Sequence, residues 1–479
     1  MQENKFFRAG SGVVIFFAML SMAASCGEYY TPEAFDPGVK NTTLAAPDIT
    51  AVSNGDGSRT ILSWPVIFGA GGFKMSLYDI SDEANPVTIV KDTVIDGSKV
   101  ELPRTDDTNY RLIVQTLGNE KYNNSPSAET EFLFSSLVPK INGSPLPAGT
   151  DLAEYLSSQQ GAIDAMTEEF AVELTSGETY VMNGTFNFGQ HPFTLRSSRK
   201  GVPAIIEFGE TAGFVTETGL KLKNVFIKAE GMTGKDKAVI SYAKTPTKEK
   251  ESNYFMIEKT MPVVLQDVRI SGLKCNLFYD NGQPWCVFTQ LVKNCVIELD
   301  QVAMDGNGPS HIFNNAKGFC FDLEVVNSTV YSINQSSKSL LVTYAGVRPT
   351  QIAGGAISPT NDIKILRSTF KQVSYKTNWT NIGRLGGQSM YHLTVDRCIF
   401  NDCANNAVAR YLYANSNDNI TWSVTDNNYW YDGAMGDTGR SKGTRVEGDP
   451  QLVQHADGYF IVNGPEVKAA GLGDPRGLQ

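Results

Sequence analysis

The sequence contains no cysteine pair spaced CxxC, which removes the usual frame for a structural zinc. After the first 26 residues it has no run apolar enough for a membrane helix, which takes about 20 residues. No Asp-Asp pair or DxD lies in the C-terminal two-thirds, so no dense carboxylate cluster for glycosidic cleavage is written there; Asp106-Asp107 falls in the N-terminal part. Positive charge is also scarce. The 41 Lys and Arg stand against 51 Asp and Glu, a formal net charge of -10, which argues against nucleic acid and anionic lipid as long-range partners.

What is present is a returning phrase. Alternating apolar residues lead to Asn, Asp or Arg, and three residues later comes another apolar residue. It reads LKLKNVFI ending at Ile227, VVLQDVRI at Ile270, QLVKNCVI at Ile297, LEVVNSTV at Val330, IKILRSTF at Phe370, LTVDRCIF at Phe400 and WSVTDNNY at Tyr429. The polar anchors Asn224, Asp267, Asn294, Asn327, Arg367, Arg397 and Asp426 lie 43, 27, 33, 40, 30 and 29 residues apart. A short strand repeated at such irregular intervals marks a solenoid whose insertions bulge out as loops. The Val, Ile and Phe enrichment fits a rung of a parallel β-helix, with the named apolar positions stacked inside. The asparagine anchors are expected to form an internal amide ladder, and Arg367 and Arg397 to point outward. Of the 7 cysteines, all but Cys26 fall between Cys275 and Cys403. They are expected as buried thiols of the solenoid core, with disulfides as the alternative.

The first 26 residues read as an address label. Lys5 and Arg8 precede the short apolar run Val13 to Leu20, and Ala23, Ala24 and Ser25 lead to Cys26. A cleaved secretory signal accounts for this. Cys directly after small residues also resembles the lipobox of bacterial lipoproteins, which implies acylation at Cys26 and membrane contact through that anchor only. Residues 27–44 read as a solvated tether. The acidic Glu28, Glu33 and Asp36 resemble the surface-export signal of Bacteroidetes-type lipoproteins, which implies an outer-membrane, surface-exposed location.

Residues 45–136 carry alternating strands at 60–67, 72–80, 109–117 and 129–135, separated by turn-rich joints, as in a β-sandwich. With Pro47 opening the first strand, Trp64 in the second and Tyr110 ending LPRTDDTNY, this part resembles a fibronectin type III domain. Trp64 and Tyr110 are then structural. In residues 137–479, DLAEYLSSQ begins with an N-capping Asp151 and puts Leu152, Tyr155 and Leu156 on one helical face, the expected N-terminal cap of the solenoid. The tail from Gly448 resembles the closing turn of β-helix polysaccharide lyases, with Asp449-Pro450 after the last rung and Gly473-Asp474-Pro475-Arg476 at its end. The whole resembles a family of Bacteroidetes surface lipoproteins of polysaccharide-utilisation systems. That resemblance implies an all-β chain: a fibronectin III-like β-sandwich followed by a right-handed parallel β-helix with a capping helix, pectate-lyase-like. It also implies other outer-membrane glycan-uptake proteins as partners.

Chemistry is thinner. Lyases of this fold need a cation at the substrate carboxylate and a basic side chain to take the adjacent proton. Acidic residues near the rungs are scattered: Glu298, Asp300, Asp305, Glu324, Asp362 and Asp402. A Ca²⁺ site from Asp362 and Asp402, with Arg384 or Arg410 as base, requires those residues to converge. Otherwise no cofactor is called for. Aromatic residues in polar loops are the better lead, because sugar C–H faces stack on them. Trp379 heads these, with Tyr375, Trp285, Tyr413, Trp430 and Tyr431 behind it; Tyr429 and Trp422 hold inward phases. Arg367 and Arg397 can meet a carboxylated sugar through paired hydrogen bonds. The reading is a surface-anchored lipoprotein that captures an acidic, pectin-like polysaccharide. A metal-assisted polysaccharide lyase is the alternative, and a structural or adhesive protein the second.

Overall fold

A computed structural model describes residues 38–479 except 54–58, 83, 104, 106–107, 199–200, 252, 301–310, 334–339, 345–359, 376–379, 382–390, 409–419 and 440–441. Two compact units divide between Leu137 and Val138. Among the described residues no helix is long and apolar enough to cross a membrane.

The first unit is a sandwich of two antiparallel sheets. Thr50–Ser53, Arg59–Ser63 and Lys99–Pro103 form one; Val87–Ile95, Phe73–Asp79, Asn109–Thr116 and Thr130–Ser135 form the other in that spatial order. Alternation in Asn109–Thr116 buries Tyr110, Leu112 and Val114 against Leu62, Trp64 and Met75. Trp64 meets the Phe73 ring edge-on at 5.2 Å. The Tyr110 hydroxyl donates to the Thr105 carbonyl at 3.1 Å and accepts its amide at 3.2 Å, closing the corner that the sequence predicts. Both aromatic residues are structural.

The second unit is a parallel β-helix of three sheets. The first sheet runs from Phe170–Leu174 through Phe193–Ser197, Leu220–Lys223, Val263–Gln266, Trp285–Lys293, Phe319–Val326, Asn361–Leu366 and Tyr391–Asp396 to Ile420–Thr425. One residue after each of the later strands, the chain turns a corner into the second sheet, from Thr179–Met182 to Asn428–Tyr431. The third sheet runs from Thr185–Asn187 to Thr380–Asn381.

The predicted interior column is present rung for rung. Ile227 pairs with Ile270, then Ile297, Val330, Phe370, Phe400 and Tyr429, each 2% exposed or less. Toward its end the column becomes a ring stack: Phe370, Phe400 and Tyr429 lie 5.4 Å apart at 15° and 9°. Ring stacking and near-complete burial stabilise this end of the column.

The anchors are the corners. All seven have left-handed backbone, with φ between 44° at Arg367 and 55° at Asp267 and Asn294. Asn and Asp tolerate that region because their short side chains satisfy nearby backbone. The amide ladder covers three coils. Asn294 Nδ2 donates to Asp267 Oδ1 at 3.0 Å, and Asn327 Nδ2 to Asn294 Oδ1 at 3.3 Å. Asn224 departs from the expectation, donating instead to Ser197 Oγ at 3.1 Å and to the Ser198 carbonyl. The next position forms a second ladder: Ser328 Oγ accepts the Cys295 amide at 3.0 Å, Ser368 Oγ that of Ser328 at 3.2 Å, and Asn427 Oδ1 that of Cys398 at 2.8 Å. Cys275, Cys286, Cys295, Cys320, Cys398 and Cys403 are buried thiols outside any disulfide.

The N-terminal end is covered by a helix, and the C-terminal tail packs on the outer side of the second sheet. Asp151 Oδ1 accepts the Ala153 amide at 2.9 Å and caps helix Leu152–Ser158, whose Leu152 and Leu156 are buried. A second short helix, Gln160–Asp164, follows. The tail forms hairpin Leu452–Gln454 with Phe460–Val462, then helix Pro465–Ala469, and is clasped to the coils by Asp474 and Arg476. Asp474 Oδ2 accepts Thr329 Oγ1 at 2.8 Å, and Arg476 donates to the Asn294 and Cys295 carbonyls at 3.1 and 2.9 Å.

Candidate functional site

Strand alternation turns every second residue of the first sheet outward, and parallel register aligns those residues across coils about 4.8 Å apart. One outward row reads Thr289, Asp322, Asp362, His392, Thr421. The neighbouring row reads Leu291, Glu324, Lys364, Thr394, Ser423. The middle of this face therefore holds three carboxylates, an ammonium and an imidazole. His392 Nδ1 lies 3.1 Å from Asp362 Oδ1, and Lys364 Nζ donates to Glu324 Oε1 at 2.6 Å. Partial burial raises the Asp322 pKa, and the facing charges of Asp362 and Glu324 raise it further against the opposing pull of Lys364 and Lys259. Burial works against the Lys364 ammonium, yet the hydrogen bond it donates to Glu324, with that carboxylate's charge, keeps its pKa above the ordinary value. A proton-accepting lysine needs the opposite shift. The arrangement suits hydroxyl recognition, with the Asp322 carboxyl group, its pKa raised, next to Asp362 on the adjacent coil.

At the corner beyond this face stand Arg367 and Arg397, on successive coils. Both are exposed and neither has an ion-pair partner among the described residues. Two adjacent guanidiniums that leave their forks open can each grip a carboxylate with two parallel hydrogen bonds.

The remaining sequence candidates are dispersed. Trp285 is corrected to a core residue: it is fully buried, its Nε1 donates to the Ala243 carbonyl at 2.9 Å, and Phe255 and Tyr242 pack on it at 5.2 and 5.9 Å. An apolar coil wall consumes that ring, leaving no face for a sugar. Tyr375 is half-buried with one face stacked on Tyr431 at 5.2 Å. Trp430 is half-buried, and Trp422 packs on the core under Lys442, whose Nζ lies 3.5 Å from the ring centre. The Ca²⁺ arrangement is also corrected. Asp362 lies on the first sheet against His392, whereas Asp402 follows second-sheet strand Ile399–Asn401 and accepts the Asp432 amide at 2.8 Å. Among the described residues no group of three His, Cys, Asp or Glu is placed to hold a metal. Trp379, Arg384, Arg410, Tyr413, Asp305 and Cys26 lie outside the described residues.

Asp322, Lys364 and His392 were missed as a set, yet the sequence held the signal. Asp322, Asp362 and His392 each stand five residues before their anchor, and Glu324 and Lys364 three before. Alignment on the anchors alone brings them together.

Two family models match the chain. Residues 1–177 match a domain of unknown function, DUF4992, and residues 178–333 a second, DUF4957. No curated protein matches. Among solved structures, the chain is similar to a family 28 exopolygalacturonase of Yersinia enterocolitica, at 11% identity over 87% of this chain and 100% of that one, with a TM-score of 0.23. It is similar to pectate lyase PelI of Erwinia chrysanthemi in complex with tetragalacturonic acid, at 8% identity over 90% and 98%, TM-score 0.14. A structure titled FN3tt mut matches 20% of this chain over 99% of its own length, at 18% identity and TM-score 0.15. All these likenesses are low, and the coil architecture stands on its own strand register.

Proposed function

We propose that this is a surface-anchored protein that captures a carboxylated, pectin-like polysaccharide along successive coils of its β-helix. The observation that carries this reading is the pair Arg367 and Arg397, exposed at matching corners with no acidic partner among the described residues. A polymer lying along the coil axis offers its charges one after another, and a solenoid repeats its side chains in the same direction. The formal net charge of -10 makes long-range attraction of a polyanion unfavourable, so affinity must come from such local contacts. Acylation at Cys26 would hold the protein at the outer membrane, with the sandwich as spacer. Affinity electrophoresis tests the proposal. Retardation in gels containing polygalacturonate but not in gels containing a neutral glucan is expected; equal mobility in both overturns it.

A second reading, polysaccharide cleavage, is favoured by one observation: Asp322 and Asp362 stand in register on adjacent coils, and burial with the facing charge of Asp362 raises the Asp322 pKa, the direction a general acid needs. New reducing ends from a uronate polymer, lost in Asp322→Asn, would establish it. No release of reducing ends or unsaturated products across uronic-acid polymers retires it.

A further inference from the structure

The outer side of the second sheet carries a separate cleft of 360 Å³ within the β-helix unit. Its apolar wall is Ile205, Phe226, Val268 and Val296, and the C-terminal hairpin closes it with Asp457 and Tyr459. The hairpin is held rigidly. Gly458, at φ 90°, presses so close that a Cβ there would lie 2.9 Å from Val296 Cγ1, and Phe460 meets the Tyr331 ring edge-on at 5.3 Å. Arg476 braces the same wall through the Asn294 and Cys295 carbonyls. The cleft is thus preformed and of small-ligand size, about 300–1,000 Å³.

Its polar groups are few and convergent. Arg269 lies over the Phe226 ring at 4.5 Å and donates one hydrogen bond, to the Ala456 carbonyl at 3.2 Å. Its nearest carboxylate, Asp457, is 3.7 Å away and exposed, beyond hydrogen-bond reach. Most of the five donors of that guanidinium are uncommitted. Asp267 also lines the cleft; each of its oxygens accepts one bond, from Asn294 at 3.0 Å and Gln266 at 3.2 Å, leaving lone pairs free.

We propose that this cleft binds a sugar acid of one or two rings. Its carboxylate meets Arg269, its hydroxyls donate to Asp267 and Asp457, and its C–H face lies on the apolar wall. The choice of a sugar acid over other small carboxylic acids rests on the polysaccharide reading; the site itself does not involve Arg367 or Arg397.

Isothermal titration of the full chain with galacturonic acid, against galactose as neutral control, tests it. Saturable binding of the acid and none of galactose is expected. Arg269→Gln should weaken binding about tenfold or more. Val202→Trp, at the rim where Val202 is 71% exposed, should block the cleft without disturbing the core. Both variants should retain wild-type mobility shifts with polygalacturonate. Absence of galacturonic acid binding, or wild-type affinity in either variant, overturns the proposal. Loss of polymer retention alone, with monosaccharide binding intact, would instead count against the Arg367–Arg397 reading.

Discussion

The side-chain amide of Asn294 reaches across one coil to the carboxylate of Asp267 at 3.0 Å, and both residues turn the chain at φ 55°. One residue type therefore meets two demands, a left-handed backbone and a bond along the axis. Replacement separates them. Asn294→Ala loses both ladder bonds and keeps a strained corner; Asn294→Gly loses the bonds but relieves the backbone. The glycine variant should be more stable by about 1 kcal/mol in urea unfolding. Equal stability would mean that the corner carries no strain.

The Phe400 ring is held between Phe370 and Tyr429, each 5.4 Å away. Truncation to alanine leaves a cavity that parallel neighbours cannot close, since their spacing is fixed by backbone hydrogen bonds. Phe400→Ala should cost about 3–5 kcal/mol. Phe400→Leu, which fills most of the volume, should cost about 1.5 kcal/mol or less. Thermal and urea unfolding measure both.

How far the sequence was legible follows from the same periodicity. The column from Ile227 to Tyr429 could be read because each anchor is one residue in a corner of fixed length, so the inward position always falls three residues after it. Trp285 was misread because DNGQPWC looks polar, while in the structure strand Trp285–Lys293 begins at that tryptophan and turns it inward. The cluster at Asp322, Asp362 and His392 was hidden by sequence gaps of 40 and 30 residues, which loop insertions set and spatial register ignores. The Arg269 cleft had no local signature, since one wall comes from the coils and the other from a tail nearly two hundred residues later.

Arg367 and Arg397 occupy corners, at φ 44° and 50°, that suit asparagine better than arginine. On the proposed reading, a costly residue at such a position serves binding rather than folding. Arg367→Asn and Arg397→Asn should each weaken retention by polygalacturonate about fivefold, an effect of about 1 kcal/mol, while leaving the protein at least as stable as the wild type. Retention should fall as salt is added, because exposed ion pairs are screened. Variants that lose stability but keep retention would assign both arginines to structure.

Asp280 and His311 set opposing pH dependences within the β-helix. Burial pushes the Asp280 pKa from 3.8 up to about 6, outweighing the amides of Gly282, Lys317 and Gly318 that bond its carboxylate. Because the folded value is raised, its contribution is complete below pH 3.8 and lost as pH climbs through about 6. Burial pulls His311 down from 6.5 to about 4, so its contribution is complete above pH 6.5 and lost as pH falls toward about 4. Each amounts to about 3 kcal/mol, and between these limits the two offset one another. The wild type should therefore show a shallow stability profile between them. Asp280→Asn leaves only the histidine, so its urea midpoint should drop on acidification. His311→Gln leaves only the aspartate, so its midpoint should rise over the same range. Parallel profiles for the wild type and Asp280→Asn would show that the carboxyl group titrates at its ordinary value and that the flanking amides, not burial, govern it.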